Sequence, residues 1–166
     1  AYLFVHEFGH HFAGLADEYY TSSVAYELSD VNEEPYEPNI TALLDPDNLK
    51  WKHLATPNTP LPTPWPKAEF EKHSIAYQEK RRQMRADNVP EAEMNKLFED
   101  NQVFVETLFE QSGQKGRVGA FEGGGYKADG LYRSSQNCIM FTRTSDFCPV
   151  CSEAIEKVID EYTVSP

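Results

Sequence analysis

The stretch HEFGH at residues 6–10, with the apolar lead-in AYLFV at residues 1–5, decides the interpretation of this chain. Residues four positions apart lie on one face of a helix, so the imidazoles of His6 and His10 can reach one cation. The H-E-x-x-H spacing is typical of a hydrolytic zinc site in which the glutamate activates a water on the metal. We therefore predict that His6 and His10 bind Zn2+ and that Glu7 is the general base. The apolar lead-in predicts that the helix is buried.

A third zinc ligand is expected just downstream, because a catalytic zinc site combines three protein ligands with one open position. In the metzincin pattern a glycine ends the zinc helix and the ligand follows three residues later. Gly14 and Asp17 keep this spacing, although the glycine comes one residue late and an aspartate stands where a histidine is usual. We predict Asp17 as the third ligand, with Glu18 as the next candidate. His11 is predicted to face away from the other two histidines.

A second motif, NCIMF at residues 137–141, lies far along the chain. A tight turn that carries a methionine beneath the zinc site is a feature of metzincins, and Met140 is a candidate for it. An amphipathic run with helical spacing follows at residues 155–162 and predicts a closing helix. The same layout of turn and helix is expected in a metzincin-like domain.

Six short motifs follow one another along the chain: HEFGH, GLADEY at residues 14–19, EGGGY at 122–126, LYR at 131–133, CIM at 138–140 and FCPVC at 147–151. In these motifs and their order the chain resembles the bacterial IgA-peptidase family of zinc metallopeptidases. The resemblance implies a metzincin-like zinc endopeptidase with Zn2+ as its cofactor and a protein or peptide as its substrate. It also implies an exported bacterial protein that is secreted, bound to the cell surface or periplasmic. Immunoglobulin or another host glycoprotein is a candidate substrate.

The fold class implied is α+β: a helix-rich, zincin or metzincin-like peptidase domain that lacks its N-terminal sheet. Residues 1–166 are interpreted as the C-terminal part of one catalytic domain, because such domains usually build strands before the zinc helix. We expect an N-terminal portion of the same protein to supply those strands. Alternatively, the segments 118–121 and 131–133 form a minimal sheet.

Composition divides the chain into four parts. Prolines concentrated in the second part exclude long helices there, and Pro90 marks a break between two helices in the third. The parts are the zinc helix and third-ligand turn at 1–20, a proline-rich loop at 33–66, a helical insert at 67–111, and glycine-rich strands, methionine turn and closing helix at 117–166.

Three further side chains are candidates for stabilising the oxyanion of a tetrahedral intermediate, since hydrogen-bond donors aimed at developing charge are a large part of such catalysis. They are Tyr126, Tyr132 and Arg133. Glu122 is a reserve candidate for binding the metal or for contacting a ligand histidine.

The cysteines at 138, 148 and 151 allow either one disulfide with a free thiol or three ligands of a second zinc site. A disulfide from Cys138 to Cys148 or Cys151 suits an exported protein and is the expected arrangement. A redox role for the C-x-x-C is disfavoured, because no thioredoxin-like pattern surrounds it.

The negative net charge of the chain disfavours nucleic acid as a binding partner. At −12 with a sequence pI near 4.8, the chain is a poor ligand for nucleic acid, which requires a basic surface. No apolar run approaches the roughly 20 residues that span a bilayer. Two other functions stay open: a non-catalytic protein-binding or glycan-binding module on a relict peptidase scaffold, and a metallohydrolase acting on a non-peptide amide.

Overall fold

A computed structural model describes residues 2–21 and 33–163. Over these residues the protein is α+β, with four α-helices and a small three-stranded antiparallel sheet, which is compatible with a peptidase domain. The α+β class is thereby confirmed. Residue 1 of the expected zinc helix and residues 164–166 of the expected closing helix lie outside the described residues. The helices are α1 (Tyr2–Ala13), α2 (Lys67–Ala86), α3 (Glu91–Gln111) and α4 (Pro149–Thr163), and the strands are β1 (Ile40–Thr41), β2 (Val118–Gly124) and β3 (Lys127–Ser135).

The chain divides into two compact units. The first comprises residues 1–64 and 116–166, and the second comprises Trp65–Lys115. The first unit contains α1, α4 and the sheet, whose strand order is β1-β3-β2. Gly125 lies between β2 and β3 and has a φ of 55°, a left-handed conformation that permits the tight turn joining the two strands. Segments 118–121 and 131–133, which the sequence marked as strands, both lie in this sheet.

The proline-rich segment of the first unit covers the free edge of β2. Thr63 N donates to Ala120 O at 2.7 Å, and Ala120 N donates to Thr63 Oγ1 at 2.9 Å. Trp51 is 1% exposed and donates from Nε1 to Gly119 O at 2.7 Å. These bonds satisfy backbone groups that an edge strand would otherwise leave open. As the prolines predict, no long helix forms in this segment. Apart from strand β1, its regular elements are two short 3₁₀ turns, at Pro46–Asn48 and Lys52–Leu54.

The second unit is a pair of helices. α2 and α3 contact each other, and Pro90 directly precedes α3, where a missing N–H costs nothing. Phe70 and Phe109 are buried, with ring centroids 5.9 Å apart. The two helices expected between residues 67 and 111 are therefore present.

One prediction for α1 is wrong. The apolar lead-in was expected to bury the helix, yet Leu3 is 66% exposed, Phe4 77% and Phe8 40%. Only His6 and Gly9 of this helix are buried, because α1 packs with the face that carries them. In the described part of the chain, none of the helices is both long and apolar enough to cross a membrane.

Candidate metal centre

Helix α1 and the turn that follows it bring three side chains to one point. His6 and His10 lie one turn apart on the buried face of the helix. The helix ends at Ala13, and Gly14 adopts a φ of 62° while its N–H donates to His10 O at 3.1 Å. This is a left-handed helix cap, which glycine adopts without steric strain. It turns the chain back so that Asp17 meets the two histidines.

The three ligand atoms are close together. His6 Nε2 lies 2.9 Å from Asp17 Oδ1, and His10 Nε2 lies 3.2 Å from both His6 Nε2 and Asp17 Oδ1. His6 is 4% exposed and Asp17 8%, so the cluster is shielded from solvent on most sides. The structure thus brings His6, His10 and Asp17 together; that they bind a metal stays a prediction.

The outer nitrogen of each imidazole is held by a backbone carbonyl. His6 Nδ1 donates to Ile139 O at 3.0 Å, and His10 Nδ1 donates to Leu15 O at 2.6 Å. A carbonyl oxygen can only accept, so each Nδ1 carries the proton. In the neutral tautomer each Nε2 therefore presents its lone pair to the centre of the cluster, as metal-binding histidines do.

These groups create a local demand for positive charge. Two imidazole lone pairs and one carboxylate oxygen face one another, an arrangement that a proton or a cation must relieve. Burial lowers the pKa of His6, but the hydrogen bond with Asp17 and the bond to Ile139 O outweigh it, so this pKa lies above its ordinary value. Burial raises the pKa of Asp17, but hydrogen bonds from His6 and Tyr126 bring it below its ordinary value.

The donor set fits zinc. Two imidazole nitrogens and a carboxylate oxygen are typical ligands of catalytic zinc, with metal–ligand distances of about 2.0–2.2 Å. Tetrahedral ligands at that distance lie about 3.3–3.5 Å from each other. The observed separations of 2.9–3.2 Å are slightly shorter, as expected for atoms that a hydrogen bond holds in place of a metal.

Two tyrosines complete the surroundings of Asp17. Tyr126 OH donates to Asp17 Oδ2, which leaves Oδ1 directed at the histidines. Tyr19 OH lies 3.3 Å from Tyr126 OH, and the Tyr19 ring stacks on His6 with centroids 6.3 Å apart. Burial and the bond to Asp17 raise the pKa of Tyr126 above its ordinary value, so its hydroxyl is a secure donor.

The other residues singled out by the sequence do not belong to the cluster of His6, His10 and Asp17. Glu7 is exposed on α1, and His11 faces away from the cluster as predicted, with Nδ1 2.9 Å from Glu7 O. Tyr132 and Glu122 lie opposite each other on β3 and β2. Among the described residues, Glu122 belongs to neither of the side-chain clusters that could hold a metal ion. Its predicted role, like that of Tyr132, rests on the sequence alone.

Arg133 lies in the interior of the first unit, and its predicted role as an oxyanion donor stays a prediction. Arg133 is fully buried, and Nη1 donates to Glu122 O at 3.0 Å and to Gly123 O at 2.9 Å. The guanidinium carbon lies 3.8 Å from the centroid of the Phe141 ring. These contacts tie the end of β2 to the turn after Cys138.

Sequence reasoning missed Asn39, which is fully buried beside the cluster. Its Oδ1 accepts from Ala16 N at 2.8 Å, and its Nδ2 donates to Ala16 O at 2.9 Å and to Glu18 Oε1 at 3.0 Å. Asn39 thereby fixes the turn that carries Asp17. In the sequence it stands only as part of an N-I-T glycosylation sequon, and no other signal marks its role.

The cysteines form a second cluster rather than the expected disulfide. Cys138, Cys148 and Cys151 are all free and buried, and the Sγ atoms of Cys138 and Cys151 are 3.7 Å apart. A disulfide requires about 2.05 Å between sulfurs, so the expected pairing is wrong for this structure. Glu18, the alternative third ligand, lies in this cluster and not beside the histidines.

Comparison with protein families identifies the class of this protein. It is a peptidase, and therefore a hydrolase whose substrates are proteins or peptides. The chain belongs to the IgA peptidase M64 family, whose family model matches residues 1–159. Members of this family are metallopeptidases. The predicted family is thus confirmed, and comparison with the curated proteins gives no match.

Proposed function

We propose that this chain is a zinc-dependent endopeptidase that holds its metal with His6, His10 and Asp17. The observation that carries the proposal is the convergence of His6 Nε2, His10 Nε2 and Asp17 Oδ1 within 3.2 Å of one another. The carbonyl contacts at both Nδ1 atoms support it, because in the neutral tautomer they keep the proton on Nδ1 and leave each Nε2 available to a metal.

A metzincin-like arrangement is part of the proposal. Cys138 O accepts hydrogen bonds from the N–H groups of Phe141 and Thr142, both at 2.9 Å, and these bonds close a tight turn around Met140. Met140 is fully buried beneath α1, where a methyl group added to Gly9 would lie 3.0 Å from its Sδ. The same turn supplies Ile139 O to His6. The methionine turn therefore supports the histidine helix directly.

The proposed chemistry is hydrolysis of a peptide bond by an activated water. A zinc ion held by His6, His10 and Asp17 would supply Lewis acidity that activates the attacking water. Glu7 takes a proton from the attacking water and returns it to the leaving amine. Tyr126 holds Asp17 in place by donating a hydrogen bond to its Oδ2. For Tyr126 to donate to an oxyanion instead, as the sequence suggested, its hydroxyl would have to leave that bond.

Membership of the family suggests a substrate and a cellular location for this protein. The family name makes immunoglobulin A one substrate to test, beside other host glycoproteins, and the specificity lies in surfaces that the family name does not define. We propose a secreted, cell-surface or periplasmic location on the same ground.

The test compares casein cleavage and zinc content in the purified chain and in two variants. Asp17→Ala removes a proposed ligand. This variant should hold one zinc ion fewer per chain than the parent and should cleave casein at the background rate. His11→Ala is the matched control, because this exposed imidazole lies on the same helix but outside the cluster. It should keep both properties. Cleavage by Asp17→Ala at the parent rate would overturn the proposal.

A further inference from the structure

A second group of ligand atoms lies apart from the histidine cluster. It comprises Glu18, Cys138, Cys148 and Cys151, whose ligand atoms are all within 4.8 Å of one another. Each residue is at most 4% exposed. Three segments supply them: the turn after α1, the turn that carries Met140, and the start of α4.

The distances between these atoms match a tetrahedral metal site. Tetrahedral zinc ligands with Zn–S bonds of about 2.3 Å lie about 3.7–3.8 Å apart, and a sulfur and a carboxylate oxygen lie about 3.5 Å apart. Cys138 Sγ is 3.7 Å from Cys151 Sγ, and Cys151 Sγ is 3.5 Å from Glu18 Oε1. Three sulfurs and one oxygen form a soft donor set that favours zinc over magnesium or calcium.

The carboxylate of Glu18 is only half satisfied. Oε1 accepts from Asn39 Nδ2 at 3.0 Å, whereas buried Oε2 has no hydrogen-bond partner in the described part of the chain. An unpaired carboxylate oxygen in a protein interior costs free energy unless a cation or a donor meets it. Glu18 is 0% exposed, so bulk water does not supply that donor.

Two sources of positive charge lie close to these ligand atoms. Cys148 directly precedes α4 and Cys151 lies in its first turn, where the helix dipole stabilises negative charge. The buried guanidinium of Arg133 interacts electrostatically with Glu18 and with Cys138. Three thiolates and one carboxylate carry four negative charges, which a divalent ion and this arginine largely balance.

We propose that Glu18, Cys138, Cys148 and Cys151 bind a second, structural zinc ion. All four positions of a tetrahedral site are filled by protein, so no water is activated there. The ion would join the segment carrying Asp17 to the segment carrying Ile139 and Met140, and would anchor both to α4. It would thus hold the parts of the histidine centre in register without taking part in hydrolysis.

The test loads the full chain with Co2+ under reducing, oxygen-free conditions and records its absorption. Cobalt bound by thiolates shows an intense near-ultraviolet charge-transfer band, which cobalt bound by histidine and carboxylate lacks. The variant His6→Ala/His10→Ala isolates the proposed second site. It should bind one cobalt per chain and keep the band at full intensity, whereas the parent chain should bind two.

A second variant and a thiol count complete the test. Cys148→Ser/Cys151→Ser should lose the band, and thiol titration of the metal-free parent chain in denaturant should find all three cysteines reduced. The thiol count does not depend on the folding of any variant. A parent chain without the charge-transfer band, or one with a disulfide and a single free thiol, would overturn the proposal. Neither result bears on the histidine site, whose failure would appear separately in the proteolysis assay.

Discussion

Asp17 and Glu18 are consecutive in the sequence, yet their carboxylates belong to different clusters. Asp17 Oδ1 lies 2.9 Å from His6 Nε2, whereas Glu18 Oε1 lies 3.5 Å from Cys151 Sγ. The two side chains therefore leave this segment in different directions, although they are adjacent in the sequence. Glu18 N also donates to Met140 O at 2.9 Å, so the two clusters share one rigid segment.

Tyr126 should control metal affinity by orienting Asp17. The variant Tyr126→Phe keeps the ring but removes the donor to Asp17 Oδ2. Loss of such an orienting hydrogen bond typically weakens metal binding by about 10–100-fold. We expect a loss in that range in a zinc competition titration, with an unchanged circular dichroism spectrum. The control is Tyr36→Phe at a fully exposed tyrosine, and equal affinities in the two variants would contradict the orienting role.

Gly9 should be required for the contact between α1 and the methionine turn. A Cβ at this position would lie 3.0 Å from Met140 Sδ and 3.1 Å from both Leu15 Cδ1 and Phe147 Cε1. Gly9→Ala gains about 1 kcal/mol of helix propensity, but overpacking costs about 1–3 kcal/mol. We expect a net loss of stability in urea unfolding.

A double-mutant cycle identifies the cause of that loss. A Met140→Ala background removes one of these three close contacts, so Gly9→Ala should cost less there. An equal effect of Gly9→Ala in both backgrounds would show that Met140 is not the obstacle.

Asn39 should stabilise the turn that carries Asp17. Asn39→Ala leaves buried groups of Ala16 and Glu18 without their partner, and each such loss costs about 1–3 kcal/mol. We expect a lower urea midpoint and weaker zinc binding together. Asn95→Ala, at an exposed position of α3, is the matched control and should change neither. A midpoint for Asn39→Ala equal to that of the control would count against this role.

The pair between Glu153 and His53 should contribute a small pH-dependent stability. Hydrogen bonds from Lys157, at 2.7 Å, and His53, at 2.5 Å, hold the pKa of Glu153 below its ordinary value. Because the pKa of Glu153 is lower in the folded state, the ionised carboxylate stabilises the fold at pH values above the unfolded-state pKa of about 4.3. This stabilisation is lost as the pH falls through the folded-state pKa.

Glu153→Gln should therefore cost under about 1 kcal/mol at neutral pH and nothing in acid, as measured by unfolding at several pH values. Glu156→Gln, at an exposed acid on the same helix, is the control. A cost for Glu153→Gln that persists unchanged at low pH would contradict the ion-pair explanation.

Local sequence patterns account for the parts of the site that are close in the chain. The i, i+4 spacing of His6 and His10 follows from helix geometry, and the left-handed cap at Gly14 places Asp17 beside them. The break at Pro90 and the proline-rich segment were also predictable, because proline restricts the backbone wherever it occurs.

The remaining features depend on contacts between distant segments. Asn39 lies 23 residues from Ala16, and Ile139 lies 133 residues from His6. No local pattern encodes such pairs. The separation of Asp17 from Glu18 and the burial of Arg133 likewise follow from the packing of α4 and the sheet. The exposed apolar residues Leu3 and Phe4 show that hydrophobic periodicity alone does not fix which face of a helix is covered.

The most direct test of the central claim is the Glu7→Gln variant, with zinc content and casein turnover measured on the same sample. Glu7 is exposed beside the histidines and binds no metal in the proposed mechanism. The variant should keep the zinc content of the parent chain and lose about 10²–10⁴-fold in turnover, the range typical of a general base. Glu99→Gln, at an exposed acid on α3, should retain both properties. Casein cleavage by Glu7→Gln at the parent rate, with its zinc intact, would contradict the proposed mechanism.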